Sequence, residues 1–118
     1  MTDKHFETKA IHAGGEEKKP ENALNDPIFM TSAFTFDSLE KAEATFAFET
    51  RDYVYTRGNN PTIRVLEERM SILEGGEGAV AFASGMAAIS SVLLSMLQPG
   101  DEIIAHRMLY GSTQNFVK

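Results

Sequence analysis

The sequence predicts an α/β fold with a mainly parallel sheet, and three observations carry that expectation. From Asn60 onward, an amphipathic charged segment, a charge-free apolar one, a second helical one and a second apolar one follow in order. Ala79-Val80-Ala81-Phe82-Ala83 is short and uncharged, as a strand covered on both faces must be. The joints between these segments carry Gly, Pro, Ser or Asn where the chain has to stop or bend.

Residues 1–58 are looser in texture. Polar stretches alternate with short apolar clusters, and Pro20 and Pro27 interrupt any long element. One helix is predicted there, with Asp37 as N-cap, Glu40 completing a variant of the capping box, and Leu39, Ala42 and Phe46 along one face. Before it, residues 27–36 are extended, aromatic and β-leaning, and need a surface to lie on. Residues 1–58 therefore read as an arm packed on a later part of the chain or on a neighbouring subunit.

In residues 59–118 the first element is a helix capped by Asn60, with Pro61 in the first turn, where a missing N–H costs nothing. Ile63, Leu66, Met70 and Leu73 form its apolar stripe, Glu67, Glu68 and Arg69 its solvent face, and Gly75-Gly76 its left-handed stop. The strand 79–83 leads through Ser84 into a helix from about Gly85 to Leu97, apolar nearly all round and therefore expected to be buried on most sides. Gln98-Pro99-Gly100-Asp101 is a turn, and Glu102-Ile103-Ile104-Ala105 the next strand.

The chain has 118 residues, enough for one small domain with a core, and 42% hydrophobic against 24% charged residues places it among globular proteins. A net charge of -6 supplies no basic face for nucleic acid, and Lys18-Lys19 is cancelled locally by Glu16, Glu17 and Glu21. With no cysteine, disulfides and thiolate metal sites are excluded. The polar start and the serine-interrupted run from Met86 to Leu97 offer neither a signal peptide nor a membrane span, so the protein reads as cytoplasmic, without nucleic-acid or membrane partners. His5, His12 and His106 show no metal-ligand spacing, and no metal is expected.

Three constellations could carry chemistry. At Ser84-Gly85-Met86 a strand runs into a helix whose first N–H groups lack internal partners. Gly85 lets an anion approach the backbone, and Ser84 can add a hydroxyl. The same pair also serves as a plain cap-and-bend turn, and local physics leaves both readings open. In Tyr53-Val54-Tyr55-Thr56-Arg57, alternation puts Tyr53, Tyr55 and Arg57 on one face, where a phenol and a guanidinium suit a phosphate or stand as ordinary surface groups. Tyr110 follows a strand end, the usual place for a ligand in an open parallel sheet, and is equally an ordinary aromatic at a helix start.

Taken together, Tyr55-Thr-Arg57-Gly-Asn-Asn60-Pro61, Leu73-Glu74-Gly75-Gly76, Ala83-Ser84-Gly85-Met86-Ala87-Ala88, Pro99-Gly100-Asp101 and Leu109-Tyr110-Gly111 resemble the N-terminal portion of the Cys/Met metabolism (transsulfuration) family of pyridoxal-phosphate enzymes. That family includes cystathionine γ-synthase and γ-lyase, methionine γ-lyase and O-acetylhomoserine sulfhydrylase. The resemblance implies a fold type I, aspartate aminotransferase-like large domain beginning at residue 59 behind the arm. It implies pyridoxal 5'-phosphate as cofactor, an amino-acid substrate, and a homotetramer built as a dimer of dimers. Ser84, Gly85 and Met86 would bind the cofactor phosphate, Tyr55 and Arg57 would reach the phosphate of a neighbouring subunit, and Tyr110 would stack on the ring and assist proton transfer. The activity implied is β/γ-elimination or γ-replacement. Methionine γ-lyases commonly carry Cys directly after Leu-Tyr-Gly, where this chain has Ser112.

The resemblance also implies a cofactor-anchoring lysine, an Asp for the pyridinium nitrogen and an Arg for the substrate carboxylate. None of Lys4, Lys9, Lys18, Lys19, Lys41 and Lys118 stands in that lysine's context. The chain is accordingly expected to be a piece of a longer enzyme and inactive alone. The competing expectation is a non-catalytic phosphate-binding or assembly fragment.

Overall fold

The computed structural model describes residues 5–15 and 19–118. The polar start at Met1–Lys4 and the Glu16–Lys18 run lie outside the described residues. The contacts divide the chain into two compact units, residues 1–80 and 81–118.

The first unit is built on three helices: α1 (Phe6–His12), α2 (Leu39–Phe46) and α3 (Pro61–Glu74). Helix α1 is a finding beyond the sequence reading. It is short, and its His5 cap makes no side-chain bond, so it left no cap signature to read. It packs on α3. Helix α2 spans the predicted residues, but Ser38 is its cap, accepting from the Lys41 N–H at 3.2 Å, while Asp37 pairs with the Lys41 ammonium at 3.3 Å. Helix α3 begins and ends as predicted. Asn60 Oδ1 accepts from the Thr62 N–H at 2.8 Å, and Gly75 takes φ 65° and returns its N–H to Ser71.

The faces of α3 correct the prediction. Glu68 and Arg69, expected in water, are half-buried. Arg69 Nε donates to the Ala13 carbonyl at 2.8 Å and Nη2 to Asp26 at 3.2 Å, while Glu68 Oε2 accepts from the Gly15 N–H at 2.8 Å. Of the predicted core stripe, Ile63, Leu66 and Met70 are exposed and Leu73 is half-buried. The polar face wins because the turn at Gly14 and Gly15, with φ 77° and 81°, brings unpaired backbone groups that only hydrogen-bonding side chains can satisfy.

The extended segment 27–36 finds its surface in this same unit. Phe34 donates to the Val54 carbonyl at 3.1 Å and Thr56 to the Ser32 carbonyl at 2.9 Å, around an antiparallel bridge between Ala33 and Tyr55. The Phe34 and Tyr53 rings pack together tilted by 37°, their centres 5.4 Å apart. Phe29 is held from both sides of its peptide, its N–H by Thr62 Oγ1 at 2.9 Å and its carbonyl by Asn60 Nδ2 at 3.1 Å.

The second unit contains α4 (Gly85–Met96), which packs on α5 (Gly111–Phe116). The turn before residue 102 forms as predicted, with the Gln98 N–H on Asp101 Oδ2 at 2.7 Å and Gly100 at φ 103°. Residues 79–83 and 102–105 do not pair into strands among the described residues. A ladder needs a partner strand in register, and no such pairing forms at either segment among the described residues. Helix α4 is correspondingly exposed rather than buried, with Val92, Leu94 and Met96 open to solvent at 51, 73 and 74%. Among the described residues the single buried apolar side chain is Ala13, and the buried polar ones are Thr45, Asn60 and Thr113.

Candidate functional site

Ser84 is extended at φ -155°, and its Oγ caps α4 by accepting from the Ala87 N–H at 3.1 Å. Its carbonyl accepts from the Ala88 N–H at 3.1 Å. Two donors remain: the Gly85 and Met86 N–H groups have no acceptor among the described residues. Both lie at the positive end of the helix dipole. A Cβ built on Gly85 would meet nothing within 4 Å, so the space in front of these donors is open. The first constellation is thus a preformed pair of backbone donors behind an unobstructed glycine.

Helix α5 carries the Tyr110 site. Tyr110 is its N-cap residue, makes no side-chain cap bond and is 73% exposed, so its ring face and hydroxyl are uncommitted. One helical turn further, Thr113 is buried and its hydroxyl donates to Met86 Sδ at 3.4 Å. Sequence reasoning missed Thr113. Its only trace is the i, i+3 spacing from Tyr110.

The Tyr53, Tyr55 and Arg57 trio is split. Only Tyr55 and Arg57 come together, with the guanidinium 4.9 Å from the Tyr55 ring centre. Arg57 lies in a turn rather than an extended run, closed by the Gly58 and Asn59 N–H groups on the Tyr55 carbonyl at 2.9 and 3.2 Å. The guanidinium makes no ion pair among the described residues, which leaves its donors available. Tyr53 instead turns to α3, where its hydroxyl accepts from Arg64 Nη1 at 3.3 Å. That bond and the one to Glu68 raise the Arg64 pKa further above its ordinary value. Burial pushes the Glu68 carboxyl upward, but hydrogen bonds from Arg64 at 2.6 Å and from the Gly15 N–H outweigh it and hold the group below the usual carboxylate value.

Of the candidate residues only Tyr53 lines the cavity of about 240 Å³ walled by Phe29, Phe34, Pro61, Arg64 and Val65 in the first unit; Ser84, Gly85, Met86, Tyr55, Arg57 and Tyr110 do not. Nor do they line the wider groove beside Arg69. No group of His, Asp or Glu among the described residues could hold a metal ion, and no helix among them is long and apolar enough to cross a membrane.

Residues 7–118 match the sequence model described as Cys/Met metabolism PLP-dependent enzyme. The chain belongs to that family. It is similar to the L-methionine gamma-lyase of Pseudomonas deceptionensis, 48% identical over 117 residues, which cover 96% of this chain and 29% of that protein. It is also similar to the O-acetyl-L-homoserine sulfhydrylase of Corynebacterium glutamicum, 46% identical over 109 residues, 92% of this chain and 25% of that protein. A crystal structure described as a putative O-acetylhomoserine (thiol)-lyase from Campylobacter jejuni, with N'-pyridoxyl-lysine-5'-monophosphate, superposes with a TM-score of 0.89 at 32% identity, over 98% of this chain and 28% of that one. The chain thus spans less than a third of the length of these relatives, and its backbone follows the corresponding part of fold type I PLP enzymes.

For this PLP family the donors at α4 fit the cofactor's phosphate chemically. Two parallel N–H groups, a helix dipole and an unobstructed glycine are what a phosphate requires. The split between gamma-lyases and sulfhydrylases runs through the relatives themselves, so family membership alone does not choose between elimination and replacement.

Proposed function

We propose that this chain supplies the phosphate end of a pyridoxal-phosphate site in an enzyme of sulfur amino acid metabolism. That enzyme would carry out β/γ-elimination or γ-replacement on a sulfur amino acid or an activated homoserine. The observation that carries the reading is the pair of unpartnered N–H groups at Gly85 and Met86, with open space at the Gly85 Cβ position.

When bound, the cofactor supplies an electron sink for bond breaking next to the substrate's amino-bearing carbon. The chain's own residues hold and orient. Ser84 keeps its oxygen on Ala87 and so fixes the helix start, leaving Gly85 and Met86 to bind phosphate oxygens. Tyr110 presents a ring face to a planar ligand and an uncommitted phenolic oxygen that can hold or pass a proton. Arg57, steadied over Tyr55, is a free bidentate donor for the phosphate bound by a neighbouring copy. In the same reading residues 1–58 are the arm that reaches that copy, in a dimer of dimers in the cytoplasm. Residues 59–118 open the large domain, where 79–83 and 102–105 become strands of a mainly parallel sheet.

Gly85→Ala tests the phosphate cradle. A Cα–Cβ bond tilts toward the helix N-terminus, so the new methyl projects into the space in front of the donors. Helix propensity itself improves. Thermal stability should hold or rise, and the dissociation constant for pyridoxal phosphate, followed by absorbance titration, should rise at least tenfold. Unaltered cofactor affinity would count against the cradle. Equal binding of inorganic phosphate and pyridoxal phosphate would instead favour a plain phosphate-binding fragment.

A further inference from the structure

We infer that Thr113 is a positioning residue that ties the ring-contacting Tyr110 to the phosphate donors of α4 through the side chain of Met86. The inference rests on the cofactor reading above.

A helical threonine ordinarily returns its hydroxyl to a carbonyl of its own helix one turn back. Thr45 does so, on Lys41 at 2.8 Å, and Ser90 and Ser95 in α4 behave similarly on Ala87 and Val92. Thr113 does not. Its hydroxyl leaves α5 and donates to Met86 Sδ at 3.4 Å, a neutral and weak acceptor. It is also buried, in a unit whose large apolar side chains are mostly open to solvent.

Position gives this contact its consequence. Met86 stands in the first turn of α4, and its own N–H is one of the two free donors. Thr113 lies in the first turn of α5, three residues after the N-cap Tyr110, and the Gln114 N–H on the Tyr110 carbonyl at 2.9 Å ties Tyr110 to that turn. Tyr110 has no side-chain bond of its own to fix it. Backbone donors and ring platform are therefore linked through the half-buried contact of Thr113 with Met86. A ligand that touches both needs their spacing held, whereas a ligand that touches only the donors does not.

The test compares two probes, pyridoxal 5'-phosphate and inorganic phosphate, on the holoprotein that carries this sequence after cofactor removal. Thr113→Val keeps shape and removes the hydroxyl, and Thr113→Ser keeps the hydroxyl. Loss of one neutral hydrogen bond predicts a three- to tenfold rise in the pyridoxal phosphate dissociation constant for Thr113→Val, that is about 0.7–1.4 kcal/mol. Thr113→Ser should restore it, and inorganic phosphate binding, read by competition, should stay put. In a Tyr110→Ala background Thr113→Val should have no further effect. Equal pyridoxal phosphate affinity in wild type and Thr113→Val overturns the inference alone, as does an equal loss for both probes, which would mean a damaged helix start. A wild-type protein that binds no pyridoxal phosphate overturns the cofactor reading as well. Should Thr113→Val fail to fold by circular dichroism, Met86→Leu removes the acceptor instead and must show the same split between probes; an unchanged Met86→Leu overturns the inference.

Discussion

Asn60 is the joint of the first unit, and replacing it tests how that unit is held. The residue is 3% exposed and uses its whole amide. Oδ1 accepts from the Thr62 N–H at 2.8 Å, while Nδ2 donates to the Phe29 carbonyl at 3.1 Å and to Thr56 Oγ1 at 2.9 Å. The Thr56 hydroxyl proton is itself committed to the Thr31 carbonyl at 2.6 Å, so Thr56 can only accept from Asn60. Asn60→Ala loses the cap, about 1 kcal/mol, and leaves two acceptors short of a donor, about 1 kcal/mol each. The total is about 3 kcal/mol. Asn60→Asp is the sharper case, because it is among the best caps and nearly isosteric. It retains the Thr62 bond but turns a carboxylate oxygen toward two acceptors. Cap propensity alone predicts no loss; the geometry predicts about 3 kcal/mol or more from a buried, unpaired charge. Urea titration at neutral pH should show the midpoint falling at constant slope for both variants. Acidification should recover part of the loss in Asn60→Asp, where a protonated carboxyl regains a donor. An Asn60→Asp protein as stable as wild type would refute the reasoning.

Other perturbations follow from single contacts. Glu68 titrates below its unfolded value, so the stability it contributes is present above about pH 4.3 and is lost as pH falls through the depressed folded value; the urea midpoint of wild type minus Glu68→Gln, followed from pH 6 to pH 3, should narrow in that window and stay flat above it. Gly14→Ala puts a Cβ 3.0 Å from the Arg69 nitrogen and the Val65 carbonyl at φ 77°, and should lower stability by more than about 1 kcal/mol, checked by thermal melting. Arg57→Ala should weaken cofactor retention by about 1.5–3 kcal/mol, the worth of a hydrogen bond to a charged group, with equilibrium dialysis of the holoprotein as the measure; unchanged retention would remove Arg57 from the phosphate site. The 118-residue chain taken alone should self-associate, given exposed side chains such as Met30, Phe48 and Leu94 at 93, 95 and 73%, and sedimentation showing a sharp monomer at high concentration would contradict this.

What the sequence displayed well were local devices with a chemical signature. The helix start at Asn60-Pro61, the stop at Gly75-Gly76, the cap at Ser84-Gly85 and the turn at Pro99-Gly100-Asp101 each rest on a bond between residues two to four positions apart, and each forms where it was read. Family resemblance, spread over these same residues, matched the chain from residue 7 onward. The errors concern groups whose environment is set at long range. Ser38 beat Asp37 as a cap because Asp37 had a cation one turn on to pair with. Glu68 and Arg69 look like a solvated face in sequence because nothing local shows that Ala13, Gly15 and Asp26 arrive on that side. The strands expected at 79–83 and 102–105 are a different matter, a pairing property that needs partner segments, and they stay part of the proposed sheet. Thr113 was illegible because its partner lies 27 positions away.

The candidate site emerges most clearly from which polar groups are already spoken for. In the first unit Lys19, Lys41, Arg64 and Arg69 all close ion pairs with carboxylates, and the caps Ser38 and Asn60 commit their side-chain oxygens to their own helices. Arg57 stands apart, positioned by the Tyr55 ring yet free to donate. Arg51 and Arg107 also lack ion pairs among the described residues, but neither is steadied by a ring, so exposure alone does not single Arg57 out. In the second unit the cap at Ser84 satisfies Ala87 and leaves Gly85 and Met86 unsatisfied, at a glycine whose missing side chain relieves no contact within the fold. A glycine required for packing would show a crowded Cβ position, as Gly14 does. Gly85 has open space there, as Gly75, Gly78, Gly100 and Gly111 also do, so what sets it apart is that space together with two backbone donors left without an acceptor. On the proposed reading an anion would take up those two donors, and Gly85→Ala separates that use from any role in the fold.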